Sequence, residues 1–160
     1  MTMTVATSSV EDTRRVAAAV AALAASGDVI LLAGDLGAGK TAFAQGFGAA
    51  LGVEEPIVSP TFTLARQYQG RLRLHHLDVY RLDRIDEIFD VGLPELIEDD
   101  GVVLIEWGDV VRAELPPDLL QIDITLGDGD DDRTLALTTV GARWADRAPS
   151  LSAALEAWRC

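Results

Sequence analysis

Eight residues, GDLGAGKT at positions 34–41, limit what this chain can fold into more than anything else in it. Gly34, Gly39, Lys40 and Thr41 satisfy the spacing G-x-x-x-x-G-K-[S/T]. Immediately before them runs DVILLAG, a short apolar run bounded by turn residues. That is how a strand buried on both faces reads. Immediately after them, residues 40–51 carry Phe43, Phe47 and Leu51 on one helical stripe, with Gly52 just past the end. A glycine-rich turn that leaves a buried strand and opens into a helix is a phosphate cradle. A turn that merely resembles the motif would lack that context.

The chemistry explains each residue type. Glycines let main-chain N–H groups curl toward an anion with no Cβ in the way. Asp35, Leu36, Gly37, Ala38 and Gly39 supply that main chain here, and Ala42 continues it into the helix. The positive end of the helix faces the phosphates. Lys40 brings a point charge to the β- and γ-phosphates. The Thr41 hydroxyl takes one place in a Mg²⁺ octahedron that otherwise keeps several waters.

The remaining order predicts an α/β fold, a mixed central sheet flanked by helices, with residues 1–160 as one domain. Residues 10–25 read as an Ala-rich helix with Val16, Val20 and Leu23 at helical spacing, capped by Thr7, Ser8 or Ser9 and ended by Gly27. Residues 61–80 read as two strands around a turn near Gln69 and Gly70, with Leu72, Leu74, His76 and Asp78 on one face of the second. Residues 83–99 carry short helical patterns interrupted at Gly92, Leu93 and Pro94. GVVLIEW from Gly101 is a second buried strand. LLQIDITL and RTLALTTV form a hairpin across the acidic turn GDGDD, and SLSAALEAWRC suits a short helix.

A hydrolase built on this cradle needs carboxylates near the metal. Glu106, ending VVLIE, is the first candidate, although acids also end strands simply to meet water. Asp78 is the second. It binds Mg²⁺ through water, orients the attacking water, or is a solvent-facing acid paired with Arg81 or Arg84. The hydroxyl-rich segment SPTFTL, residues 59–64, is either a loop that closes on the γ-phosphate or an ordinary strand entry punctuated by Pro60. His75 and His76 lack the spacing of a metal site and read as one packed and one exposed histidine. GDGDD lacks the ligand spacing and distal Glu of an EF-hand loop, so it reads as a turn.

Hydrophobic residues make up 49% of the chain, but no run approaches the length of a membrane span, and no secretory signal is visible. The single cysteine, Cys160, forms no internal disulfide. A reducing cytoplasm without membrane attachment is the expected setting. The formal charge of -13 repels nucleic-acid backbones, so direct binding of RNA is expected to be weak or absent, and the acidity serves at least solubility.

Together, GDLGAGKT, SPTFTL, HLDVYRL (76–82), DEIFDVGL (86–93) and LIEW (104–107) resemble, in order and spacing, the bacterial ATPase family of tRNA threonylcarbamoyladenosine biosynthesis known as TsaE, formerly YjeE. The resemblance runs from about the first helix to Arg133. It implies a P-loop ATPase that hydrolyses ATP with Mg²⁺, with Thr41 and Glu106 at the metal and Lys40, Asp78 and Glu106 as catalytic groups. It also implies Trp107 beside the site, and Val10 and Arg133 flanking the base side of the nucleotide. Members work with the proteins TsaD and TsaB, and hydrolysis resets the complex between rounds of tRNA modification. One departure stands out: where the family often has a second Thr, this chain has Ala42. Any α-phosphate contact there falls to backbone N–H. The segment after Gly141 carries no family motif.

Three other readings remain open on sequence. A small-molecule or nucleoside kinase needs a second substrate pocket and an arginine-bearing lid, for which Arg81 and Arg84 are the only candidates. A GTPase-like switch needs an N-K-x-D segment, which is missing. A nucleotide-sensing scaffold would bind ATP without turning it over.

Overall fold

The computed structural model describes residues 1–35, 37–58, 65–78, 93–106 and 117–160. Among the described residues, seven strands form one mixed sheet: β1 (Thr2–Thr7), β2 (Val29–Gly34), β3 (Ala65–Tyr68), β4 (Leu74–Asp78), β5 (Val102–Glu106), β6 (Leu119–Leu126) and β7 (Arg133–Val140). Their order across the sheet is β1-β7-β6-β2-β5-β4-β3. The four central strands β6, β2, β5 and β4 run parallel, and the outer pairs β1–β7, β7–β6 and β3–β4 are antiparallel. The α-helices among the described residues are α1 (Val10–Leu23), α2 (Lys40–Ala50), α3 (Leu93–Glu98), α4 (Ala142–Ala145) and α5 (Ala148–Ala154).

β2 is buried on both faces because both faces are covered. Ile30 and Leu32 point into the main core with Phe43 and Phe47 of α2 and Val16 and Val20 of α1. Val29 and Leu31 point the other way, to Val103, Ile105 and the α3 residues Leu96 and Ile97. The apolar stripe predicted for α2 is the one that packs: Phe43 and Phe47 are fully buried with stacked rings 6.4 Å apart. Burying a side chain of that size contributes about 2–3 kcal/mol. α1 can lie against α2 because Gly46 has no side chain, and a Cβ there would meet the Arg14 backbone at 2.5 Å.

The helix expectations over residues 10–25 and 40–51 and the hairpin of β6 and β7 agree with the described residues, whereas Leu93 and Pro94, expected to interrupt a helical pattern, open α3. Of the three candidate caps for α1, Ser9 does the work, accepting from the Asp12 N–H at 3.0 Å. The β6–β7 hairpin closes over residues 127–132, where Asp132 accepts from the Gly129 N–H. Two further points differ. The sequence reading begins its order at the first helix, whereas the structure adds β1. Its Met3, Val5 and Thr7 alternate into the core, and its register is Thr2 opposite Thr138. The segment after Gly141, given no role above, closes the core with Trp144, Leu151 and Leu155.

That segment is also tied to the start of β2 by charge. Asp28 is buried, and its carboxylate accepts from Arg147 at 2.6 and 2.7 Å and from Arg143 at 3.0 and 3.2 Å. Burial pushes its acidity one way. The two guanidinium groups and the Ala25 N–H outweigh that and hold the carboxyl below its ordinary range. Asp28→Asn leaves two partly buried guanidinium groups facing an amide, and is expected to cost about 2–3 kcal/mol in urea unfolding. A depressed folded-state value means that the stabilisation is complete at neutral pH. It is lost as pH falls below about 4 toward the folded value, so the gap between wild type and variant should narrow in acid.

Candidate functional site

The parallel strands deliver their C-terminal ends to one crevice, the usual location of ligand sites in open α/β sheets. β2 ends at Gly34 and leads into the loop before α2. Its neighbour β5 ends at Glu106, and the next strand, β4, ends at Asp78, directly opposite Glu106 in register. Glu106 and Asp78 share the face that carries α2, because Leu74 and Leu104 on that face belong to the core beneath α1 and α2.

The loop is shaped to present N–H groups. Gly39 is the N-cap of α2 with φ 112°, in the region that L side chains avoid, and no side chain caps the helix. The first-turn amides of α2 therefore lack the side-chain acceptor that α1 has in Ser9. Arg133, at the start of β7, holds the loop from behind. Its Nε donates to the Ala38 carbonyl at 2.8 Å and its second terminal nitrogen to the Gly37 carbonyl at 3.2 Å. With those carbonyls engaged by Arg133, the loop is braced for an anion on its N–H side.

Lys40 is buried and donates to the Gly34 carbonyl at 2.5 Å and the Asp35 carbonyl at 3.0 Å. Burial lowers its proton affinity below that of an ordinary ammonium. Glu106, Asp78 and Asp35 lie near enough to pull it back upward. Among the described residues, Lys40 thus lies within electrostatic reach of these three carboxylates. Thr41 follows on the first turn of α2 and is half-buried. Val10, Ala42, Gly39 and Arg133 come together with Thr13 and Asp131 around a cavity of about 30 Å³.

Of the residues singled out from sequence, the structure therefore gathers Asp35, Gly37, Ala38, Gly39, Lys40, Thr41, Asp78 and Glu106 at the crevice, and Val10, Ala42 and Arg133 beside it. Leu36, Trp107, the SPTFTL segment, Arg81, Arg84 and residues 86–92 lie outside the described residues. One expectation is corrected: neither histidine is exposed. His75 is buried against Asp99, with Nε2 3.1 Å from Oδ2 in a cluster that includes Arg73, and burial lowers its proton affinity. His76 is fully buried with Nε2 3.1 Å from Glu106 Oε1. The signal for His76 was present in its place two residues before Asp78 on one strand face. Its carboxylate partner is 30 positions away and is set by strand pairing alone.

The donor set suits Mg²⁺, which takes hard oxygen ligands and prefers one or two side chains with phosphates and water completing its shell. Thr41 offers a hydroxyl, and Glu106 and Asp78 offer carboxylates. Among the described residues no group of three or more His, Cys, Asp or Glu is placed to cage a metal by itself. No helix among them is long and apolar enough to cross a membrane.

Comparison with known proteins shows which family the chain resembles and what fold it shares. A family model described as "Threonylcarbamoyl adenosine biosynthesis protein TsaE" matches residues 7–135. The chain is 46% identical over 135 residues to the "tRNA threonylcarbamoyladenosine biosynthesis protein TsaE" of Bacillus subtilis, covering 84% of each chain. It is 45% identical over 129 residues to the protein of the same description from Treponema pallidum, covering 80% of this chain and 96% of the relative. Among solved structures, Bacillus subtilis YdiB superposes with a TM-score of 0.80 at 39% identity, covering 96% of this chain and 95% of that one.

Proposed function

The chain belongs to the TsaE family of threonylcarbamoyl adenosine biosynthesis proteins, and on that premise we propose that it is a Mg²⁺-dependent ATP hydrolase serving the formation of threonylcarbamoyladenosine in tRNA. The observation that carries the reading is the convergence of Lys40, the uncapped start of α2, Glu106 and Asp78 on one crevice. The loop N–H groups and Lys40 receive the β- and γ-phosphates and neutralise charge that builds on the transferring phosphoryl group. Thr41 and Glu106 would hold a Mg²⁺ ion, which would supply further positive charge to the phosphates. Asp78, beside Glu106, orients the attacking water or a water on the metal. Val10 and Arg133 flank the base side of the nucleotide, and any α-phosphate contact at Ala42 falls to its backbone N–H.

The partners in this reading are TsaD and TsaB, and the setting is the cytoplasm. A net charge of -13 suits a component that acts on proteins rather than gripping tRNA. The test is phosphate release from ATP by the full chain, with and without Mg²⁺ and with and without the two partners. We expect slow, Mg²⁺-dependent release by the isolated protein and a changed rate in their presence. Fast turnover indifferent to partners contradicts the assembly role. Phosphate transferred to an acceptor instead of water identifies a kinase, and ATP bound without turnover identifies a sensing scaffold.

A further inference from the structure

We propose that His76 is a positioning residue for Glu106: its imidazole donates a hydrogen bond that holds one carboxylate oxygen, so that the other is presented in a single orientation at the metal side of the crevice. The inference rests on the reading of Glu106 as a metal-side carboxylate. His76 is 0% exposed and Glu106 3% exposed, so neither gains orientation or hydrogen bonds from bulk water. Their contact at 3.1 Å joins two strands that lie side by side. His76 sits opposite Leu104 and Asp78 opposite Glu106, so the imidazole reaches one pleat forward, across the strand boundary, to the carboxylate.

The chemistry assigns the proton. An ionised carboxylate only accepts, so the hydrogen bond requires the proton on Nε2. In the neutral ring Nδ1 then carries a lone pair, and it is the imidazole atom without a hydrogen-bond partner among the described residues. A buried acceptor left bare is tolerated better than a buried N–H. The same tether serves Asp78 indirectly, because Asp78 continues the strand that His76 anchors. Carboxylates that ligate metals are held in turn by outer hydrogen bonds, and loss of such a partner typically costs 10- to 100-fold in metal affinity or activity.

The test compares wild type with His76→Leu, His76→Asn, His76→Gln and Glu106→Gln in the full-length protein. Binding of a fluorescent ATP analogue is titrated with Mg²⁺ and, separately, in EDTA. The Gln amide reaches about as far as Nε2 and keeps a donor, whereas the Asn amide falls short and Leu has none. We expect the Mg²⁺ concentration for half-maximal effect to rise about 10- to 100-fold in His76→Leu and His76→Asn, with binding in EDTA unchanged. His76→Gln should stay within about threefold of wild type. Should His76→Leu fail to fold, His76→Asn carries the same comparison. The ring ¹⁵N shifts of wild-type His76 provide a check that needs no variant, and a neutral ring protonated on Nδ1 overturns the proposal. So does a Mg²⁺ requirement that moves in Glu106→Gln but in neither His76→Leu nor His76→Asn. If Glu106→Gln itself leaves that requirement unchanged, the placement of Glu106 at the metal fails, and the inference falls with it.

Discussion

Lys40→Ala is expected to lower kcat/KM for ATP hydrolysis by roughly a thousandfold, about 4 kcal/mol of transition-state stabilisation. Nucleotide affinity should fall by about tenfold or more. Lys40 is buried, and Glu106, Asp78 and Asp35 all lie close enough to act on its charge. Without it, an incoming triphosphate meets those carboxylates with that side chain's positive charge missing. Lys40→Arg should rescue little, because a planar guanidinium cannot replace a compact ammonium between the Gly34 and Asp35 carbonyls. Phosphate release and titration of a fluorescent ATP analogue provide the readouts. Thermal unfolding controls for the lost loop contacts and should shift by only a few degrees. Nucleotide affinity unchanged in Lys40→Ala would remove the basis for the proposed function.

Glu106→Gln should separate binding from turnover. The substitution keeps the shape of the side chain and one oxygen for His76 while deleting the charge. Affinity for the nucleotide in EDTA should remain within about threefold of wild type, because the loop and Lys40 are intact. Mg²⁺-dependent kcat should drop about 10²- to 10³-fold, the scale on which single electrostatic contacts act in such sites. A loss confined to kcat places the residue in the chemistry, whereas an equal loss of affinity in EDTA would make Glu106 a structural support for the loop. Turnover untouched by Glu106→Gln would refute the metal assignment.

Much of this site was legible in the chain because its chemistry is local. The spacing from Gly34 to Thr41 encodes a turn, a donor nest and a cation within eight residues, and the apolar run before it and the stripe of Phe43 and Phe47 after it encode the strand and the helix. Glu106 and Asp78 were also found locally, as acids closing strand-like segments. The misses share a physical cause. β1 looked like an unremarkable start because a six-residue strand rich in Thr carries little signal until β7 pairs with it. The role of residues 142–158 depends on Asp28, more than 100 positions away. His76 read as a bland histidine because its carboxylate belongs to another strand.

The sequence by itself determined the glycine-rich turn before α2, the types of its flanking elements and the two acids that close β4 and β5, since backbone sterics and short-range periodicity depend only on near neighbours. Only the tertiary structure decided which groups meet. Parallel pairing of β4, β5 and β2 sets Asp78 opposite Glu106, turns both toward Lys40 and brings His76 beneath the carboxylate. Arg133 reaches the loop because β7 starts beside it. Strand order is settled by burial summed over the whole sheet, and no window of the chain contains that sum.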